Sequence, residues 1–404
     1  MNILSLGEAS SSHIRDRVEA FQRFGHSVQM ISNSPATLNN VDIVYCWKNN
    51  SSKNKVKGFL IFLFNVFKTI KLMKTSSCDI CHAYYATNIL SILAAIFLRK
   101  PLVVIVMGGD VIFEQHDQLP WYIKKLSMYT LQKAEAVICK SPYLKEKVIN
   151  FGVQEKKVHV SLFGVGDSFL DEKKKKKSLS PFIFLSTRPL RKFYNQAKVI
   201  KVVHKLNNIG IKAKFHIFLL NPDKNYLREL RLMIKRLDLN HMVEFLNPVK
   251  KPEFLIEFYN KSHFVIALPD SDGVPQSSLE GMALGCINIL PKCISYKNVF
   301  DKSNSILVSG SIMEIALTIK SSIEHLDNIR TNAFNFVKKK GMLTNNIISL
   351  SRSFESLQYQ NNFYLNNKIL VVFIIYVFDQ FLFMGIRNKF KKSVSRICAE
   401  YFFL

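Results

Sequence analysis

Two carboxylates eight residues apart, Asp272 and Glu280, are the groups in this 404-residue chain whose type and spacing most directly suggest chemistry. A carboxylate accepts from paired hydroxyls, and the unsatisfied backbone N–H groups of a helix start, here Gln276 to Ser278, donate to phosphate. One site would then meet both needs of a nucleotide-sugar. The competing reading makes Asp272 a turn former and Glu280 a solvated helix position, since acidic residues mostly lie exposed. Arg188 stands just beyond a strand-like apolar run, Phe182 to Ser186. Its guanidinium offers rigid paired donors that match phosphate oxygens and keeps its charge throughout a reaction, so it reads as a phosphate clamp.

The elements around the acidic pair have a definite order. Phe264 onward is an apolar run of strand type, followed by a Pro/Asp/Gly loop. Pro275 suits a first helical position, Leu279, Met282 and Ala283 recur at helical spacing as a buried face, and Gly285 suits a left-handed stop. Cys286 to Leu290 is a second strand. Strand, loop, helix and strand form the crossover unit of a parallel sheet, whose ligands sit beyond the strand carboxyl ends.

At these residues the chain resembles the GT-B glycosyltransferases, specifically nucleotide-sugar-dependent family 4. DGVPQSSLEGMALG is similar to the family's acidic pair and small-residue helix, in a variant that opens with Asp-Gly. The resemblance implies that Glu280 holds a ribose diol and Asp272 contacts the donor sugar. Gly273, Ser277 and Ser278 complete the donor contacts. Arg188 to Asn195 resembles the family's Arg-x-Leu-x-x-x-Tyr-Asn variant, with Tyr194 and Asn195; Phe193 occupies the place of a frequent lysine, leaving Arg191 or Lys192 as substitutes, and Lys192 is assigned to the donor. Met107-Gly108-Gly109-Asp110 stands where the family commonly shows His-Gly-Ser-Asp. Gly108 and Gly109 permit close backbone approach to a ligand. Asp110 stays aligned with the motif for a sugar contact on the acceptor side, but no histidine role transfers to Met107. His82 and His116 read as structural.

HIRDRVEAFQRFGHSV is similar to the family's first helix and second-strand turn, so the resemblance spans about residues 1–358. It implies retaining transfer, with Arg188, Asp272 and Glu280 as the catalytic set and with the leaving phosphate taking the acceptor proton. No cofactor and no metal are expected. The implied partners are a nucleotide-diphosphate-sugar and a lipid-linked or glycan acceptor, in synthesis of a bacterial surface glycan such as capsule or O-antigen. A GT-B sugar-nucleotide epimerase is the alternative enzyme. A catalytically impaired sugar-binding or assembly protein is the non-enzyme alternative that Met107 and Phe193 suggest.

Strand and helix patterns alternate through both halves of the chain, which implies parallel sheets covered on both faces. The expected architecture is α/β of GT-B type: two Rossmann-like doubly wound domains facing a cleft, plus a C-terminal apolar and basic tail. Residues 1–170 form the acceptor-side domain, 171–180 a Lys-rich linker, 181–358 the nucleotide-sugar domain and 359–404 the tail. Lys173 to Lys177 repel one another and stay solvated, as a linker would.

A formal net charge of +26 points to an anionic membrane leaflet or a phosphorylated substrate. No zinc-finger or RNA-binding signature accompanies it, so nucleic acid is not an expected partner. Seven cysteines without a disulfide-like framework fit a reducing compartment. Met1 leads straight into NILSLG, so no secretory signal is expected and the protein is placed in the cytoplasm, peripheral to the inner membrane face. Cys78-Asp79-Ile80-Cys81-His82 matches haem-attachment spacing but reads as a strand.

Two apolar stretches bear on the membrane. Val56 to Met73 is a helix with lysines at its ends, either buried or facing a membrane. In the tail, Ile369 to Phe378 and Phe381 to Ile386 are interrupted by Asp379 and Gln380, which opposes a simple span. The basic residues that follow favour a tail lying in or on the inner leaflet; the alternative is an additional core helix.

Overall fold

The computed structural model describes residues 1–48, 55–112, 119–170, 180–249, 252–270, 272–355, 357 and 367–383. They form two compact units. One comprises Met1–Ile138, Lys147–His159 and the described part of Ser351–Leu404; the other comprises Cys139–Glu146 and Val160–Leu350.

The first sheet is built from β1 (Asn2–Gly7), α1 (Ser12–Arg23), β2 (Ser27–Ser32), β3 (Asp42–Cys46), α2 (Lys55–Thr75), β4 (Ile80–Tyr84), α3 (Ile89–Phe97), β5 (Leu102–Val106), α4 (Trp121–Lys133), β6 (Ala136–Cys139), α5 (Pro142–Asn150) and β7 (Val158–Val160). Its strand order is β3-β2-β1-β4-β5-β6-β7, parallel, with the winding reversed between β1 and β4. A parallel sheet covered on both faces needs strands that are apolar throughout, and every residue of β5 is buried.

The second sheet follows the same rule: β8 (Phe182–Ser186), α6 (Gln196–Asn208), β9 (Ala213–Phe218), α7 (Lys224–Arg236), β10 (Val243–Leu246), α8 (Pro252–Lys261), β11 (Phe264–Ile266), α9 (Gln276–Ala283), β12 (Ile287–Pro291) and β13 (Ser305–Val308). The order is β10-β9-β8-β11-β12-β13. Here the winding reverses between β8 and β11, which pair in parallel. Loops leaving these two strands turn to opposite sides, and the space between them is the place where an open α/β sheet takes its ligand. The chain continues through α10 (Ile312–Ser322), α11 (Leu326–Phe336), α12 (Leu343–Glu355) and α13 (Asn367–Phe383).

The observed division departs from the expected boundary at residue 358. The last residues of α12 belong to the first unit because its core needs them: Phe354 stacks on Phe21 at 5.8 Å between ring centroids, and His26 Nε2 and Ser351 Oγ share a hydrogen bond of 2.8 Å. The Lys173 to Lys177 run lies outside the described residues.

The tail corrects an expectation. The helix α13 packs against α4 and α2, with Val372, Phe373 and Tyr376 buried. Phe373 meets Phe97 edge-on at 6.2 Å, and the Tyr122 hydroxyl donates to the Asp379 carboxylate. Asp379 interrupts the apolar run because it is a hydrogen-bond partner within the unit. The described tail therefore follows the core-helix alternative; the basic residues after it lie outside the described residues.

Helix α9 confirms the local reading and refines one residue. Leu279, Met282 and Ala283 are all buried. Pro275 has an extended ψ of 128° and caps the helix one position before its expected place. Gly285 adopts φ +73°, and Cys286 N donates to Gly281 O at 2.7 Å while Gly285 N donates to Met282 O at 3.2 Å, the Schellman termination. Gly281 is required by close approach: a Cβ there would lie 2.5 Å from Val265 Cγ2 on β11. Gly281→Ala should lower the unfolding free energy by about 1–3 kcal/mol, with partial recovery in Gly281→Ala/Val265→Ala. Denaturant unfolding checks this, and an unchanged midpoint for the single variant would show that α9 has room to move.

Candidate active site

The two loops that diverge at the β8/β11 reversal are tied to each other by side chains. Arg188, two residues past β8, bonds Asp272 in the loop after β11, with 2.7 Å between Nη2 and Oδ2. The guanidinium also lies 4.4 Å from the centre of the Tyr194 ring. Asn195 sits in the left-handed region at φ 53° and donates through Nδ2 to Leu268 O and Asp270 Oδ1, each at 3.0 Å. Tyr194 and Asn195 are thus structural members of the site: one forms a cation–π floor under Arg188, the other a strap between loops.

Both members of the ion pair are largely withdrawn from water, at 14% and 15% side-chain exposure. Burial opposes charge on Arg188, yet Asp272, Tyr194 and Tyr296 outweigh it and hold the guanidinium above its ordinary pKa. Burial pushes the Asp272 carboxyl up, against the pull of Arg188, Lys140 and the Gly273 amide. Arg188 accordingly remains a fixed cation. The Asp272 backbone carbonyl accepts from Ser295 Oγ, in the turn after β12, which braces the loop.

Glu280 is oriented by a second group of contacts. The Tyr259 hydroxyl, from α8, donates to Glu280 Oε2 at 2.8 Å and lies 3.3 Å from Thr187 Oγ1, adjacent to Arg188. Tyr259 is fully buried, and that burial together with Glu280 pushes its phenol well above the ordinary value, so it stays protonated as a donor. The solvated-helix reading of Glu280 therefore fails: its carboxylate belongs to a part-buried hydrogen-bond group with Tyr259 and with Thr187, just past β8.

At the start of α9, Ser278 N donates to Pro275 O at 3.1 Å, which removes that amide from the expected donor set. The amides of Gln276 and Ser277 remain at the helix N-terminus. Gln276 Nε2 donates to Gly164 O at 2.6 Å and holds that end of the helix to the chain entering the unit. The Ser278 hydroxyl and Asn288 Oδ1 are buried without a hydrogen-bond partner, and Asn288 Nδ2 donates to Ser278 O at 3.2 Å. Gly273 follows Asp272 in the same loop. Lys192 does not join the group; its ammonium pairs with Glu229 on α7 at 3.0 Å, with both side chains largely exposed.

The remaining candidates lie in the first unit. Gly108 takes φ +121°, and Gly109 follows it. Asp110 is buried, its Oδ1 accepting from Met107 N and Gly108 N and its Oδ2 from Ala86 N, each at 2.9 Å. Burial pushes its carboxyl up against these amides. Such bonding makes Asp110 the organiser of the loops after β4 and β5. His82 is structural as expected, but neither ring nitrogen has a hydrogen-bond partner; the ring packs edge-on to Phe21 and Tyr84 at 5.2 and 4.8 Å. Cys78 and Cys81 are buried free thiols beside and within β4, both pushed up by burial. His116 lies outside the described residues.

Sequence reasoning did not reach Tyr259, Ser295 or Lys140. Each lies outside the loop and helix that carry the acidic pair, so no local signal marks it.

Residues 10–166 match the description Glycosyltransferase Family 4, and residues 167–335 match Glycosyl transferases group 1. No curated protein matches in sequence. Among solved structures, Anabaena HepE in complex with UDP-glucose is similar at 16% identity and TM-score 0.70, covering 88% of this chain and 100% of that one. Sucrose-phosphate synthase from Thermosynechococcus elongatus is similar at 12% identity and TM-score 0.70, over 88% and 98% of the two chains. The lipopolysaccharide outer core galactosyltransferase WaaB is similar at 14% identity and TM-score 0.60, over 87% and 100%. At these identities the structural likeness establishes the fold.

The Arg188–Asp272 pair can be tested as a coupled unit. Arg188→Met leaves a buried carboxylate without its cation and should cost about 3 kcal/mol of stability. Adding Asp272→Asn should restore most of that. Unfolding of both single variants and the double variant gives the coupling; strictly additive costs would show that the pair does not act together.

Proposed function

The chain belongs to the GT-B glycosyltransferases of family 4, and from that footing we propose that it transfers a sugar from a nucleotide-diphosphate-sugar to a lipid-linked or polysaccharide acceptor, with retention at the anomeric carbon. The observation that carries the proposal is the convergence of Arg188, Asp272 and the Tyr259-held Glu280 where β8 and β11 reverse the winding. Glu280 accepts from the ribose hydroxyls as a charged group, and Tyr259 acts as its positioning residue. The Gln276 and Ser277 amides, at the positive end of α9, receive the diphosphate. Asp272 and Gly273 face the sugar, and the Ser277 hydroxyl completes the donor contacts; Ser278, whose hydroxyl is buried and whose amide is bonded to Pro275 O, is left out of them.

As the bond between the anomeric carbon and the phosphate oxygen breaks, negative charge grows on the leaving diphosphate. A cation and amides already fixed in place stabilise that charge more than they stabilise the bound donor. The acceptor hydroxyl bonds to the anomeric carbon from the same face, and its proton passes to the leaving phosphate oxygen. This scheme needs neither a side-chain base nor a metal. Lys192, paired with Glu229, is left out of it, and Asp110 serves by shaping the loop that carries Gly108 and Gly109. The acceptor class and the +26 charge support work at the inner membrane face, in assembly of a bacterial surface glycan.

Mass spectrometry of products from a nucleotide-sugar panel offered with lipid-linked acceptors tests the reaction. Transfer product is the expected result; conversion of the donor without acceptor would instead indicate an epimerase, and binding without turnover a sugar-binding protein. Glu280→Gln should weaken donor binding by about 1.5–3 kcal/mol, the value of hydrogen bonds to a charged group. Arg188→Lys, which keeps the charge and loses the fork, should lower kcat by about a hundredfold to a thousandfold with a smaller change in KM. A variant changed in KM alone would place Arg188 in ground-state binding.

A further inference from the structure

Helix α2 is held to the first unit along one side. Asn65, Val66, Thr69 and Met73 are buried there; Asn65 Oδ1 accepts from Tyr45 OH at 2.6 Å and from Lys48 N at 3.1 Å, and the Trp47 indole donates to Thr69 Oγ1 at 2.9 Å. The opposite side is apolar and open. Val56, Leu60, Phe64 and Phe67 are 58%, 59%, 46% and 68% exposed. Spacings of four, four and three residues put them on one continuous stripe. Single exposed apolar residues need no explanation, whereas a contiguous run of large ones marks an interaction surface.

The charge around the stripe identifies what covers it. From Lys48 to Lys74 the chain carries seven lysines and no Asp or Glu. Lys57 and Lys68 flank the stripe, Lys71 and Lys74 continue it toward the helix end, and all four are exposed. The Lys48 ammonium lies 4.9 Å from the centre of the Phe64 ring. Apolar groups flanked by lysines, in a stretch of chain without an acidic residue, match the boundary between acyl chains and anionic headgroups. Among the described residues no helix is long and apolar enough to cross a membrane, so the fitting orientation is in the plane of the surface. The helix α13, which contacts α2, also exposes Val371 and Ile374.

We propose that α2 is the element that docks this protein on an anionic bilayer, with Val56, Leu60, Phe64 and Phe67 at the acyl boundary and the lysines on headgroup phosphates. The proposal rests on the membrane reading above and moves the anchor from the tail, whose described helix is engaged with α4, to a helix of the first sheet.

Co-sedimentation of the full-length protein with vesicles of phosphatidylcholine plus phosphatidylglycerol, and of phosphatidylcholine alone, tests it. The native chain should prefer the anionic vesicles, and Phe64→Ser/Phe67→Ser should weaken partitioning by about a hundredfold. Lys68→Gln, Lys71→Gln and Lys74→Gln should each weaken it by about fivefold. Nucleotide-sugar binding and transfer to a water-soluble acceptor should be unchanged in these variants, which separates the docking surface from the reaction. Phe67→Trp supplies a readout that keeps the apolar surface: the indole emission of this variant should shift to the blue on vesicles and be quenched by brominated lipid. No sedimentation of the native chain with either vesicle would overturn both the membrane reading and this surface. Equal sedimentation of the double serine variant, or indole emission in Phe67→Trp that brominated lipid leaves unquenched, would overturn the assignment to α2 alone. Self-association lost in the double variant while vesicle binding persists would reassign the stripe to contact between copies.

Discussion

The ion pair between Arg188 and Asp272 spans the one place in the second sheet where neighbouring strands send their loops in opposite directions. Withdrawing two charges from water costs several kcal/mol per ion, and their attraction does little more than offset it. The pair is therefore poorly explained as a source of stability and well explained as a means of placing a cation. Tyr194 beneath the guanidinium and Asn195 between the loops act in the same direction, so the reversal point is held by side chains where backbone pairing has ended. A cation held in this way needs no rearrangement when negative charge develops beside it, which is the condition for stabilising a leaving diphosphate.

The other half of the site depends on how closely a helix can lie on a strand. Gly281 lets α9 sit against Val265, and that closeness brings Glu280 within reach of the Tyr259 hydroxyl. The small residues of α9 are thus a packing requirement with a functional result. Cys286, the last residue of the Schellman turn, continues the same contact by donating through Sγ to Tyr259 O at 3.1 Å. Packing and carboxylate orientation both depend on one helix-to-strand distance.

In the first unit, charge has two different uses. Asp379 lies within an apolar run and is paired inward with Tyr122, which lets α13 join the fold. Lys57, Lys68, Lys71 and Lys74 of α2 face outward beside apolar side chains that stay exposed. A part-buried carboxylate within an apolar run is satisfied by a specific partner; exposed lysines can be satisfied by water or by a diffuse anionic surface.

Periodicity along the chain was sufficient to read the alternating strands and helices, because parallel strands buried on both faces are apolar runs and their crossover helices carry apolar faces at helical spacing. Phe182–Ser186 has the bounds expected of it. The stop at Gly285 was legible for the same reason, since termination in the left-handed region is a local demand on residue type. Between β13 and the tail, Ser311 and Glu314 form a capping box whose spacing is visible in the chain. Arg188, Asp272 and Glu280 could be named from type and position, but their association could not. Tyr259 is a lone tyrosine in sequence, Lys192 reads as a spare cation until Glu229 is beside it, and Asp379 reads as a break in an apolar run. Local sequence determines what each segment can form and which groups can ionise or donate. Which donor meets which acceptor depends on contacts between residues far apart in the chain, and only the folded packing decides those.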